Sequence, residues 1–174
     1  MLPLKDAIVA NTNRSDYIAT HYVDSEQTVK FPEKKRNVIH IYMESMENSY
    51  YDKAHGGYGD DDLMPDLLQY NEANTHFSNT DTMGGPHQVF GSSHSIAAIV
   101  NMESGVSMAN FYAFKGDGDD TVDAPQPTIG DLTEAEGYNN EIMMCADASW
   151  GSFDKWWHDH GNYKIFDHQY AIDN

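Results

Sequence analysis

The side chains best suited to chemistry are one carboxylate and a group of hydroxyls. Glu44 directly follows the apolar run of residues 37–43, and a carboxylate at the end of a buried strand is well placed to bind a divalent cation. Residues 91–98 bring hydroxyls to the start of a predicted helix, where free amides and the helix dipole stabilise an alkoxide or a phosphoryl group. The hydroxyls that compete for this role belong to Ser92, Ser93 and Ser95. A surface Glu at a helix start, and a serine that serves only as an N-cap, are the plainer alternatives.

The acidic stretch of residues 117–123 resembles a calcium-binding loop in composition. An EF-hand loop that began at Asp117 would need Gly at its sixth position and Glu at its twelfth. The chain has Val122 and Thr128 at those positions. We therefore reject an EF-hand and predict a solvated loop.

Two histidines and two tryptophans share residues 156–160. If this segment is helical, His158 and His160 point to opposite sides, because neighbours on a helix face are three or four residues apart. The two histidines then cannot converge on one metal ion, and we expect them to end a helix. We predict that Trp156 and Trp157 pack in the interior rather than hold substrate.

Alternating strand and helix patterns predict an α/β fold with a mainly parallel sheet flanked by helices. The predicted strands cover residues 37–43, 75–79, 138–145 and 163–166, and the predicted helices cover residues 64–73, 96–102, 128–136 and 153–160. Residues 37–43 are almost continuously apolar, which is typical of a central strand buried on both faces. Residues 1–36 are polar and mixed, so we expect a linker or an outer-layer segment.

The charge balance narrows the classes of partner. The chain has 174 residues, with 10 Lys and Arg against 28 Asp and Glu, which gives a formal net charge of −18. No basic face is available to neutralise phosphates, so nucleic acid is not expected as a partner. The same charge disfavours docking on anionic lipid through this surface.

Cysteine content and hydropathy add two further expectations. The single cysteine, Cys145, excludes an intrachain disulfide, and its apolar neighbours predict a small buried residue. No run approaches the ~20 apolar residues that a membrane helix needs. Residues 1–10 lack the basic and apolar regions of an export signal, so the polypeptide as written is expected to be soluble.

Several segments carry, in consistent order, the sequence patterns of one known family. Residues 37–46 are similar to NVIxIxLESL, residues 63–67 to LMPNL, residues 75–79 to xxFTN, and residues 88–98 to QVxGTxWTIAG. Residues 103–107 are similar to SQCGIPL, residues 127–138 to xxLGDILKxxGY, and residues 160–167 to HGFDxxYG. The chain therefore resembles the phosphoglycerol transferase I and lipoteichoic acid synthase group of the alkaline phosphatase/sulfatase superfamily. The phosphoglycerol transferase I branch fits best.

The resemblance implies roles for individual residues. Glu44 matches the family's metal-ligand Glu, and Ser95 matches its nucleophilic Thr, which also contacts the metal. His94 stands where the family has Trp, and Trp150 falls near a substrate-binding aromatic, so both are expected at the substrate. The implied metal is a divalent cation, manganese in this group, with magnesium, calcium or zinc as alternatives.

The same resemblance implies a larger protein and a reaction. Residues 37–174 would be the N-terminal part of a sulfatase-like catalytic domain, left incomplete here. Family members complete the metal site with a distal Asp-His pair and a further His, whereas Asp167 and His168 align with a different motif. We therefore expect the isolated chain to be a poor or inactive catalyst.

The implied reaction moves glycerophosphate from phosphatidylglycerol to a glycan or teichoic-acid-like acceptor through a covalent Ser intermediate. It would take place at the extracytoplasmic face of the bacterial cell membrane, with membrane segments that this chain lacks. A phosphodiesterase or sulfatase-type hydrolase, a phosphoethanolamine transferase, and a non-catalytic domain that binds glycan or lipid headgroups are the alternatives.

Overall fold

A computed structural model describes residues 20–85, 88–89, 91–107, 112–113, 121–122 and 126–174, with the backbone alone at 112–113 and 121–122. The helices are α1 (Ser25–Thr28), α2 (Pro65–Ala73), α3 (Ser95–Ser104), α4 (Ile129–Ala135), α5 (Phe153–Asp159) and α6 (His168–Asp173). The strands are β1 (Tyr112–Ala113), β2 (Thr121–Val122), β3 (Glu141–Met143) and β4 (Lys164–Phe166), and 3-10 turns cover Asn48–Tyr50, Lys53–His55 and Trp150–Ser152. No helix in this part of the chain is long and apolar enough to span a membrane.

The chain divides into two compact units. Within the described ranges, the first comprises residues 20–36, 102–106 and those from 112 onward, and the second comprises residues 37–101 and 107. In the first unit, β3 and β4 pair in parallel with α5 between them in sequence, while β1 and β2 pair antiparallel. The predicted α/β class with parallel pairing is therefore confirmed at the level of one two-stranded parallel sheet.

Two predicted strands are wrong. Residues 37–43 form no strand, and Val38, Ile39 and Ile41 are 65%, 83% and 73% exposed instead of buried. Residues 75–79 are also irregular, with Phe77 exposed. No strand in the described ranges pairs with either segment, so neither has the backbone hydrogen bonds that an apolar strand needs from its neighbours.

Cys145 is exposed, which corrects the prediction of a buried residue. The strand β3 ends two residues earlier, so the apolar pattern of 138–145 runs past the paired segment. The acidic stretch of residues 117–123 lies outside the described residues, except for the backbone of 121 and 122 in β2.

The predicted helices are confirmed, with caps that explain their ends. Pro65 occupies the first turn of α2, where its missing amide hydrogen costs nothing. Thr128 and Asp131 form a reciprocal capping box at the start of α4. Beyond the end of α4, Gly137 adopts φ +77° and donates its amide to the Glu134 carbonyl at 2.7 Å. The short helices α1 and α6 are not among the predicted helices.

The core of the first unit is an aromatic cluster on α5. Phe153, Trp156 and Trp157 are buried, and the two indole rings meet edge to face with centroids 4.8 Å apart. Trp157 packs in the same way on Tyr163, at 4.7 Å. Both tryptophans therefore have the predicted packing role.

Two glycines make the closest backbone contact in this unit. Gly161, at φ +114°, lies so close to Gly130 that a Cβ on it would come within 2.5 Å of the Gly130 backbone. A Cβ on Gly130 would lie 2.2 Å from the His160 carbonyl oxygen. The Asn140 amide donates to the carbonyls of both glycines, at 2.9 and 2.8 Å, and accepts from the Thr133 hydroxyl at 2.8 Å. One side chain thus ties α4 to the segments that lead into β3 and β4.

We expect Asn140→Ala to lower the free energy of unfolding by about 2 kcal/mol, because it leaves the carbonyls of Gly130 and Gly161 without these donors. Asn139→Ala is the matched control, since its exposed side chain should change the value by less than ~0.5 kcal/mol. Chemical denaturation followed by tryptophan fluorescence measures both. Equal values for the two variants would show that the Asn140 hydrogen bonds contribute nothing.

Candidate functional site

Ser95 is the first residue of α3, and its side chain is exposed. On the same helix Ala97 and Val100 are fully buried, so the helix is fixed by its apolar side while its first residue faces outward. The turn before the helix uses Gly91 at φ +81°. In that turn the Ser92 hydroxyl donates to the Val89 carbonyl at 2.6 Å. The Ser92 hydroxyl is thus engaged locally, whereas Ser93 and Ser95 are both exposed.

His94 caps the helix that carries Ser95. Its ring Nδ1 accepts the Ala97 amide hydrogen at 3.4 Å, and its carbonyl accepts that of Ala98 at 2.9 Å. The Ala97 amide, which has no partner within the helix, is therefore satisfied by the His94 ring, whereas the bond from Ala98 is the first regular hydrogen bond of the helix. Its predicted contact with substrate stays a prediction, and the capping role is additional to it.

Glu44 lies in an exposed turn after the irregular residues 37–43. Ser45 has a left-handed φ of +57° in this turn, and its hydroxyl donates to the Glu44 carboxylate at 3.4 Å. Glu44 and Ser95 both belong to the second unit.

The donor set is small for a metal ion. Among the residues that the structure describes, no three His, Cys, Asp or Glu side chains gather as a cluster that could hold a cation. One carboxylate and one hydroxyl fall short of the six or more oxygens that a hard divalent cation takes. The described residues do not by themselves fit a complete metal site, and the metal-ligand roles of Glu44 and Ser95 stay predictions.

Trp150 belongs to the first unit and is 71% exposed. It begins a 3-10 turn in which Gly151 and Ser152 both have left-handed φ values, of 68° and 58°. Its predicted contact with substrate is untested, but the exposed indole offers an aromatic surface.

Asp167 anchors the segment that precedes Trp150. Its carboxylate accepts the Ala148 amide at 3.0 Å and the Tyr170 amide at 2.9 Å, and these hydrogen bonds hold its pKa below the ordinary value. The same carboxylate caps α6. Its oxygens thus serve the local backbone on both sides.

The chain is similar in sequence to curated proteins that share one name. The chain is 28% identical over 156 residues to phosphoglycerol transferase I from strains of Escherichia coli and from Shigella boydii serotype 18. At this level of identity the similarity to phosphoglycerol transferase I is distant. The aligned region is 88% of this chain but only 18% of the length of those curated relatives. No family model and no solved structure matches the chain.

One acidic residue outside this site, Glu103, is buried although no sequence pattern predicts it. It lies in the last turn of α3. A related pattern does exist elsewhere in the chain: the spacing of Thr128 and Asp131 predicts a capping box, and so the start of the helix that contacts Glu103. That box presents the first amides of α4, and the Gly130 amide among them bonds to Glu103.

We expect His94→Ala to lower the free energy of unfolding by about 1 kcal/mol, because the cap on α3 is lost, while His94→Asn retains most of it. Urea denaturation followed by circular dichroism measures both, with Ser93→Ala as the exposed neighbouring control. A His94→Ala variant as stable as the Ser93→Ala control would refute the capping role.

Proposed function

We propose that this chain is part of a phosphoglycerol transferase of the alkaline phosphatase/sulfatase superfamily, with Ser95 as its nucleophile. The observation that carries the proposal is the alignment with phosphoglycerol transferase I over 88% of the chain. The exposed position of Ser95 at the start of a helix supports it, because the free amides there favour developing negative charge.

In the proposed reaction the Ser95 hydroxyl oxygen attacks the phosphorus of phosphatidylglycerol. A bond forms between this oxygen and phosphorus, and the phosphorus–oxygen bond to diacylglycerol breaks, so diacylglycerol leaves with the proton. A hydroxyl of a glycan or teichoic-acid-like acceptor then displaces Ser95 from the glycerophosphoryl group, and Ser95 regains a proton. The helix start stabilises the charge on the phosphoryl oxygens in both steps.

The remaining residues of the proposed site have supporting roles. Glu44 and the Ser95 oxygen would contribute two ligands to a site for a divalent metal ion, which we propose to be manganese, and the site would need further ligands. When bound, such a cation would neutralise the phosphodiester and favour ionisation of the hydroxyl. His94 and Trp150 would contact substrate. The proposed location is the extracytoplasmic face of a bacterial membrane.

In the longest polypeptide that contains this sequence, we expect Ser95→Ala to abolish diacylglycerol release from phosphatidylglycerol vesicles, with a loss of at least ~10³-fold. Ser95→Thr should retain activity because it keeps the hydroxyl. Ser93→Ala, an exposed serine two residues away, is the matched control and should release diacylglycerol at the unmodified rate. Unchanged release by Ser95→Ala would refute the nucleophile assignment.

The acceptor arm of the same assay separates transfer from hydrolysis. If glycerophosphate appears free in solution at the same rate with and without a glycan acceptor, the hydrolase alternative replaces the transferase. Label that moves from lipid to glycan supports transfer.

Glu44→Gln should raise the manganese concentration needed for half-maximal activity in that longer polypeptide by ~10-fold or more, because it removes the charge of a metal ligand. Glu47→Gln is the control, as an exposed Glu three residues on. A manganese titration of diacylglycerol release measures the shift, and identical titration curves for the two variants would exclude Glu44 as a ligand.

A further inference from the structure

Among the described residues, Glu103 is the one Asp, Glu, Lys or Arg that is buried, at 5% exposure. It lies in the last turn of α3, within the first unit. The Gly130 amide at the start of α4 donates a hydrogen bond to it. Gly130 is closely packed, because a Cβ on it would lie 2.2 Å from the His160 carbonyl oxygen and 2.5 Å from the Tyr163 ring.

The groups that face this carboxyl are mostly acidic or weakly acidic. Asp131 from α4 and Tyr163 from the segment before β4 both interact with it electrostatically. His160 contacts Asp131, with its Nδ1 3.2 Å from the Asp131 carboxylate. His21 lies on the wall of the groove that Glu103 also lines.

Asp131 keeps its charge in this setting. Burial by itself would raise its pKa, but hydrogen bonds from His160 and Thr128 outweigh that effect and lower it. Burial, with the charges of Glu103 and Asp131, also raises the pKa of the Tyr163 hydroxyl. Ionised Glu103 would therefore be a second negative charge beside an existing one.

For Glu103 the influences that raise the pKa outweigh those that lower it. Burial is the largest influence and raises its pKa, the Gly130 amide lowers it, and the neighbouring Asp131 charge raises it again, to about 7. The pKa values of the two adjacent carboxyls are thus shifted in opposite directions, so that below neutrality Asp131 is ionised and Glu103 is protonated.

A groove of about 550 Å³ gives this region room to change. Its lining is largely apolar: Tyr22, Val23, Val29, Val106, Ile129 and Leu132. Such walls do not solvate a carboxylate, but the groove is open, so water reaches its surface.

We propose that Glu103 is a proton-binding site that makes the packing of the last turn of α3 against α4 depend on pH near neutrality. With the proton bound, the neutral carboxyl is compatible with burial beside Asp131. When the proton leaves, repulsion from Asp131 and the cost of desolvation favour movement of this turn toward the groove and water. The inference concerns the first unit and does not depend on the proposed transfer reaction.

The sign of the pH dependence follows from linkage. The ordinary pKa of a Glu is 4.5, and the folded value is about 7. Between these values the folded chain holds a proton that the unfolded chain has released, so this group's contribution to stability falls as pH rises through the window. The contribution is constant below the window and again above it.

The test is thermal unfolding of the whole chain from about pH 4 to about pH 9, for the unmodified protein, Glu103→Gln and the exposed control Glu134→Gln. Glu103→Gln keeps the shape and the acceptor for the Gly130 amide but cannot ionise. From the bottom to the top of the window, the unfolding equilibrium constant of the unmodified chain should rise on the order of 10²-fold relative to Glu103→Gln. The control should follow the unmodified profile, and parallel profiles for all three proteins would overturn the proposal.

A second measurement needs no variant. In the unmodified chain labelled with ¹³C at Glu carboxyls, the Glu103 signal should titrate near neutrality, and the Gly130 amide signal should shift with the same midpoint. A Glu103 midpoint at its ordinary value would overturn the proposal even if Glu103→Gln failed to fold.

Discussion

The described part of the first unit depends on one close backbone contact, between Gly130 and Gly161. No side chain fits between them, since a Cβ on Gly161 would overlap the Gly130 backbone and a Cβ on Gly130 would overlap the His160 carbonyl oxygen. The contact brings the start of α4 against the turn before β4, and Asn140 hydrogen-bonds both carbonyls from the segment before β3. The residues that follow Gly161 pack Tyr163 on Trp157 and then form β4, which pairs with β3. The position of the Gly130 amide against Glu103 is a further consequence.

The elements that could be predicted are those whose stabilisation is local. Pro65 at the start of α2, the Thr128–Asp131 box of α4 and Gly137 beyond its end are short-range signals, and each fixes a helix boundary without distant partners. The segment 37–43 is the opposite case. Its apolar pattern predicts a strand buried on both faces, but a strand is stable only beside neighbours, and none in the described ranges pairs with it. The apolar sequence of 37–43 would need neighbouring strands on both sides, and the described residues provide none.

In the candidate site, too, locally determined features could be predicted and features that depend on distant residues could not. That Ser95 begins a helix could be predicted from the pattern of small apolar residues after it, and the helix is present. The capping by His94 could not, because histidine is not a common N-cap and the interaction depends on ring orientation. Glu44 follows an irregular, exposed segment rather than the predicted strand, and a metal site needs ligands gathered from several parts of a chain, which sequence order alone does not give. The raised pKa of Glu103 likewise depends on burial and on Asp131, 28 positions along the chain.

The central claim, that Ser95 accepts a glycerophosphoryl group, is tested most directly by trapping the intermediate. The longest polypeptide that contains this sequence would be mixed with phosphatidylglycerol and manganese without acceptor, quenched in acid, digested and mapped by mass spectrometry. The account predicts one glycerophosphoryl group on the peptide that contains Ser95, at that residue, and its loss when acceptor is added before the quench. Turnover of lipid with an unmodified Ser95 peptide, or with the adduct on another residue, would contradict it.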